Sequence, residues 1–202
     1  MRFSKDMVVS AAINILNRDG SDGLTMRAVA AELGTQAATI YNHVTNKDEL
    51  YSAIADHISE TYDAPPVFSG ARDFLIAGAK ATRKMLLTVR DATVVFENSM
   101  PTTPTRMRII SAQMAAYREL GVPDALMMVF PNMVNNYITA FVADECRAKQ
   151  FTQEDFAAFS RSVGITETDA PLWANDFDKA FEMGLELLFA GLDTLISRTT
   201  QT

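Results

Sequence analysis

Between Leu24 and Leu50 the chain reads LTMRAVAAELGTQAATIYNHVTNKDEL, and the spacing within it leaves few folds open. Thr25 is placed to cap a short helix by accepting a backbone N–H from its first turn. Val29 and Leu33 share one face of that helix, with Ala30 beside them. Ala30 is small enough to admit a second helix at close range. Gly34 can take the left-handed conformation that ends a helix and reverses the chain. Gln36 to His43 is expected as a second short helix whose Ile40 faces back toward Val29. A small residue, then a turn glycine, then an aliphatic residue at this spacing closes two helices at a steep angle. The polar side of the second helix is left outward, where it can enter a DNA major groove.

The residues that follow are more specific still. Ile40-Tyr41-Asn42-His43-Val44, then Asn46-Lys47-Asp48-Glu49-Leu50, with the lead-in Asp22-Gly23-Leu24-Thr25-Met26-Arg27, resembles the signature of the TetR family of bacterial transcriptional repressors. The match runs from about residue 4 to residue 58. The resemblance implies a homodimer that blocks a palindromic operator in double-stranded DNA. It also implies that the dimer leaves the operator when a small-molecule effector binds the larger C-terminal domain.

Charge and composition set bounds on this reading. The net charge of −7 is unusual for a DNA binder until it is divided. Residues 1–47 carry Arg2, Lys5, Arg18, Arg27 and Lys47 against Asp6, Asp19, Asp22 and Glu32, a balance of +1 that leaves −8 for the remainder. An acidic average does not prevent DNA binding when the footprint is local. Cys146 is the only cysteine, so no intramolecular disulfide can form; it is expected as a small buried apolar residue in a reducing compartment. The first residues, MRFSKDMVV, carry no long apolar signal segment, and no stretch of about 20 apolar residues is evident, so the expectation is a cytoplasmic protein without a membrane span.

The rest of the pattern is helical, and the fold class expected is all-α. A three-helix helix-turn-helix domain spans residues 1–47, and a helix over 46–63 links it to an effector-binding and dimerisation domain over 48–202. Ser4 can cap the first helix, whose Val8, Ala11, Ala12, Ile15 and Leu16 fall on one face. Asn46 with Glu49 three residues on can form a capping box for the linking helix, which Pro65-Pro66 stop. In the body, helices are expected near 74–90, 92–97, 107–120, 123–149, after Thr152 and over 175–197, with an irregular stretch from Gly164 to Pro171.

In the head, Arg27 can reach a guanine edge or a phosphate. Gln36, Ala37, Thr39, Asn42 and His43 lie on or beside the outward helix, and Thr25 opens the helix before it. Thr39 suits a phosphate or a thymine methyl, and Ala37 suits a thymine methyl. Tyr41 and Lys47 are better placed to hold the phosphate backbone, Lys47 helped by the helix N-terminus it begins. His43 suits a phosphate contact or a capping and packing role equally. Ile40 and Val44 are core.

The body resembles the C-terminal domain of the tetracycline repressor branch through Arg90-Asp91, the spacing on to Pro101, and the helix-Gly121-helix arrangement. Where that branch has a histidine that ligates drug-bound magnesium, this chain has Phe96; where it has Thr-Arg-Pro, this chain has Ser99-Met100-Pro101. A phenyl ring cannot replace an imidazole as a ligand, so the tetracycline–magnesium complex is not the effector expected; neither a metal nor another cofactor is expected. A largely apolar effector pocket is expected instead, drawn from Phe74, Met85, Phe96, Met100, Met107, Met114 and Tyr117, because methionine adapts its shape to flat or greasy ligands. Pro131 falls inside an apolar helix and is expected to kink it. Asn132, Asn135, Asn136 and Thr139 follow in that helix, and buried amides need partners. Water, twofold-related groups in a dimer, or the effector can supply them. Phe181, Leu185, Leu188 and Leu192, at helical spacing, are candidates for the dimer interface, and for some of them the protomer's own core is the alternative.

Other function classes fare poorly. Two histidines and one cysteine cannot build a clustered His/Cys metal site, and neither a glycine-rich phosphate loop nor a nucleophile elbow is present. The chain is therefore not expected to be an enzyme. A DNA-binding regulator answering to a protein partner, or acting without an effector, remains the alternative; a carrier or enzyme with a helix-turn-helix as mere packing is more remote.

Overall fold

Helix caps decide where the elements begin. In the computed structural model, which describes residues 3–63, 68–164 and 176–199, Ser4 Oγ accepts from Met7 N at 3.2 Å and starts α1 (Lys5–Asp19). Thr25 Oγ1 accepts from Ala28 N at 3.1 Å and starts α2 (Met26–Glu32). A short α3 (Ala37–Ile40) and α4 (Lys47–Ser59) follow, then α5 (Ala71–Leu86), α6 (Ala92–Glu97) and α7 (Pro104–Glu119). A 3-10 turn at Asp124–Leu126 precedes α8 (Val129–Ala148), α9 (Gln153–Ser162) and α10 (Phe177–Thr199). Every regular element among the described residues is a helix. Pro65-Pro66 and the stretch from residue 165 to Pro171 lie outside the described residues.

By compactness the chain divides into two units. One unit is Met1–Val67 with Lys80–Gln113; the other is Phe68–Ala79 with Met114–Thr202. In the first unit α1 packs on α2 and α4, and α4 packs on α6. Val8, Ala12, Ile15, Leu16, Leu50 and Ile54 are sealed from solvent there. In the second unit α8 packs on α10 through aromatic rings. Phe130 meets Phe189 edge-on at 5.4 Å, Phe141 meets Phe181 at 5.1 Å, and Tyr137 stacks on Phe181 at 5.3 Å. The Tyr137 hydroxyl donates to Phe181 O at 3.0 Å, and it lies where a Cβ on Gly184 would stand at 2.1 Å. Gly184 is thus what lets the two helices approach.

Several expectations change here. The helix expected from Pro123 begins at Val129 instead, so Pro131 sits in its first turn. A missing N–H costs nothing there, because the first-turn N–H groups have no partner within the helix, and the reason for a kink is gone. The segment Asp124–Ala148 is long and apolar enough by composition to cross a membrane, which the sequence reading had not credited. Its Phe130, Val134, Ile138 and Phe141 are buried, the face by which it packs on α10. Cys146 is exposed and not in the core.

Candidate nucleic-acid interface and effector site

The turn between α2 and α3 is built as its sequence requires. Gly34 has φ of +64°, and Thr35 N donates to Ala30 O at 2.9 Å, closing the α2 end. Val29, Ala30, Ile40 and Val44 are buried together as the wedge between the two helices. Only Ala37–Ile40 is α-helical in the second element; His43 N bonds Ile40 O at 2.9 Å, a tighter turn that carries the element to His43. Thr25, Arg27, Gln36, Tyr41, Asn42 and Lys47 are exposed, and Ala37, Thr39 and His43 are half-buried. Thr25 spends its hydroxyl on the cap, and Thr39 Oγ1 accepts from Thr35 Oγ1 at 3.1 Å.

Two charged links and a cap fix this face. Arg18 Nη1 pairs with Glu32 Oε2 at 3.0 Å, tying α1 to α2, and Lys5 Nζ lies 3.4 Å from Glu49 Oε1, tying α1 to α4. Asn46 Oδ1 accepts from Glu49 N at 2.8 Å. Glu49 does not return the bond to the Asn46 backbone. Its Oε2 reaches one residue further and accepts from Thr45 N at 2.7 Å and Thr45 Oγ1 at 2.8 Å. Those bonds, the backbone one first, hold the Glu49 carboxyl below its ordinary range. Lys47 Nζ sits 5.2 Å above the ring of Tyr51, so the cation at the start of α4 lies along a fixed surface.

A clasp within the first unit went unread in the sequence. Asp91, in the left-handed region at φ 58°, accepts from Ser21 N at 2.7 Å. Arg90 N donates to Asn17 Oδ1, and its Nη1 donates to Arg18 O, both at 3.0 Å. The α6 start therefore grips the end of α1 and the loop leading to α2. Gly20 fits beneath it with φ of +77°, and a Cβ there would meet Asp91 Oδ2 at 2.9 Å. Ser21 and Asp91 are far apart in sequence, and no local pattern announces their bond.

The expected effector residues divide between the units. Met85, Phe96, Met100 and Met107 belong to the first, whereas Phe74, Met114, Tyr117, Asn132, Asn135, Asn136 and Thr139 belong to the second. Met85 is buried and Phe96 half-buried, but Met100 is 72% and Met107 47% exposed, so these two do not line a buried site in the protomer. Tyr117 is buried, edge-on to Phe130 at 5.9 Å, and burial pushes its phenol up to about 12. Phe74 and Met114 are half-buried. Asn132, Asn135 and Asn136 are exposed, which removes the buried-amide argument for an effector contact; Thr139 donates its hydroxyl back to Asn135 O and Asn136 O. Phe181, Leu185 and Leu192 are each 1% exposed, so they belong to the protomer's own core and not to a subunit interface, and Leu188 is half-buried.

Comparison with known proteins bears on the whole chain. Residues 8–54 match the model of the bacterial regulatory proteins, tetR family, and residues 69–196 match the tetracycline repressor-like C-terminal domain. The chain belongs to the TetR family. Tetracycline repressor protein class C of Escherichia coli is 28% identical, over 96% of this chain and 92% of its own. ActR of Streptomyces coelicolor, solved with actinorhodin, superposes with a TM-score of 0.78 at 26% identity, covering 94% of this chain and 95% of that one. BioQ, solved with its natural double-stranded DNA operator, superposes with a TM-score of 0.72 at 29% identity, covering 94% of this chain and 98% of that one. The TetR family model and the helix-turn-helix geometry thus meet on the same residues of the head.

Proposed function

We propose that this chain is a transcriptional repressor of the bacterial cytoplasm that binds a palindromic operator as a homodimer and leaves it when a small organic molecule binds its body. The observation that carries the reading is the head, in which a sealed Val29–Ala30–Ile40–Val44 wedge turns Arg27, Gln36, Tyr41, Asn42 and Lys47 outward. In this reading residues 1–47 read DNA and the remainder binds the effector and dimerises. BioQ's structure with its operator and ActR's with actinorhodin support the two halves of the assignment. One head reads only a few base pairs, so specificity across a genome calls for two.

A gel-shift titration against the DNA upstream of its own gene tests the reading. Affinity should fall steeply with salt, because each phosphate contact releases counterions. Tyr41→Ala and Lys47→Ala should weaken binding to all sequences, while Arg27→Ala and Gln36→Ala should change base preference. Binding indifferent to all four substitutions would remove the assignment. Operator release by a compound separates an effector-controlled repressor from a regulator without one.

A further inference from the structure

Within the first unit, Arg106 is a buried cation with donors to spare. Arg106 on α7 is only 7% exposed, and the face of its guanidinium lies 4.9 Å from the Phe96 ring centre. Nη1 donates to Ser99 Oγ at 3.0 Å and to Met100 O at 3.1 Å, and Nη2 donates to Ser99 O at 3.4 Å. A guanidinium has five N–H donors in a fixed plane. The Nε hydrogen and the second Nη2 hydrogen have no partner among the described residues, and they share the edge that matches a carboxylate in a two-bond fork.

The acceptor side is equally open. Asp56 on α4 acts on Arg106 through its charge, against the burial that lowers the guanidinium's affinity for its proton. Yet Asp56 Oδ1 is buried with no hydrogen-bond partner among the described residues, and so is Thr103 Oγ1, one helical turn before Arg106. A folding core closes such groups on one another, since an unpaired buried polar atom is destabilising. Here a cation and a carboxylate share an interior and each keeps bonding capacity unspent.

We propose that the effector is a small organic acid carrying a hydroxyl group, its carboxylate seated on the Nε/Nη2 edge of Arg106 and its hydroxyl donating to Asp56 Oδ1. The inference rests on the effector-controlled reading above and narrows it: the ligand's apolar body carries one acid anchor. Phe96, standing where the tetracycline branch has a metal ligand, then serves as the ring that packs the guanidinium face.

The test uses the full chain and the three hydroxybenzoate isomers as probes, with benzoate and the matching hydroxybenzamides as controls, read by calorimetric titration. At least one hydroxybenzoate should bind ten times or more tightly than its amide and more tightly than benzoate. Asp56→Asn should erase the advantage over benzoate but keep the preference for acid over amide. Arg106→Gln should erase the preference for acid over amide. Arg106→Lys, which keeps the charge and loses the fork, should weaken it if the glutamine variant does not fold. Acids and amides binding alike, no acid binding at all, or a preference that survives both arginine variants overturns the proposal. A gel shift with no compound present separates this failure from failure of the repressor reading, because operator binding does not depend on the acid.

Discussion

Leu187→Ala is expected to separate a surface of α10 that pairs with another subunit from the surface that packs into its own core. Two apolar rows run along this helix. Phe181, Leu185, Phe189 and Leu192 are each 1% exposed, whereas Met183, Leu187 and Leu195 are 46%, 74% and 44% exposed. On α8 the exposed counterpart is Val129, Met133, Asn136 and Ala140, at helical spacing. Asn136 and Met183 adjoin the Tyr137–Gly184 contact in sequence, and the two rows are expected to make up one face of the second unit. A four-helix seam made from this face and its twofold mate would cover it. Leu187→Ala removes three carbons, and at about 0.8 kcal/mol per buried carbon, scaled to the exposed fraction, the seam loses about 1.8 kcal/mol per protomer. The twofold axis counts each residue twice, so the dimer should lose about 3.5 kcal/mol, a roughly 300-fold weaker association. Sedimentation equilibrium across a concentration series measures this directly. Leu185→Ala is the control: it should cost the protomer about 2–5 kcal/mol in denaturant unfolding and leave the association constant of folded protein in place. An unchanged association constant for Leu187→Ala, or a larger loss for Leu185→Ala, would refute the seam.

Three further outcomes follow from the structure. Gly20→Ala forces a side chain into the left-handed region and against Asp91, and should destabilise the first unit by about 1–3 kcal/mol in thermal melts, with Asp91→Ala relieving only the clash. Glu49 has a folded pKa below the ordinary 4.5, so its contribution is present above that value and is lost as pH falls through the depressed one; the Thr45 amide shift should report the transition, and Glu49→Gln should abolish it. Asn132→Ala and Asn136→Ala, lying on the exposed face of α8, should preserve effector response and operator binding while shifting the association constant; a blunted response in either would return these side chains to the effector site.

What the sequence determined by itself is what neighbouring residues settle among themselves. The caps at Ser4, Thr25, Asn46 and Thr152, the Gly34 turn, and the buried row of α1 were legible because each depends on groups within about one helical turn. The outward residues of the head were legible for the same reason. Even there, the partner of Glu49 shifted by one residue to Thr45, since Asn46 enters its cap with extended backbone. Tertiary structure decided everything that depends on which helix lies opposite. α10 offers more than one apolar face, and only the rings of α8 select Phe181, Leu185 and Leu192 for the core and leave Leu187 outside. The same holds for α8, where the start at Val129 turned Pro131 from a kink into a first-turn residue and turned the asparagines outward. Asp91 on Ser21 and Arg106 beside Asp56 join groups from distant parts of the chain, and their free energies arise from desolvation and geometry that exist only once the helices have packed.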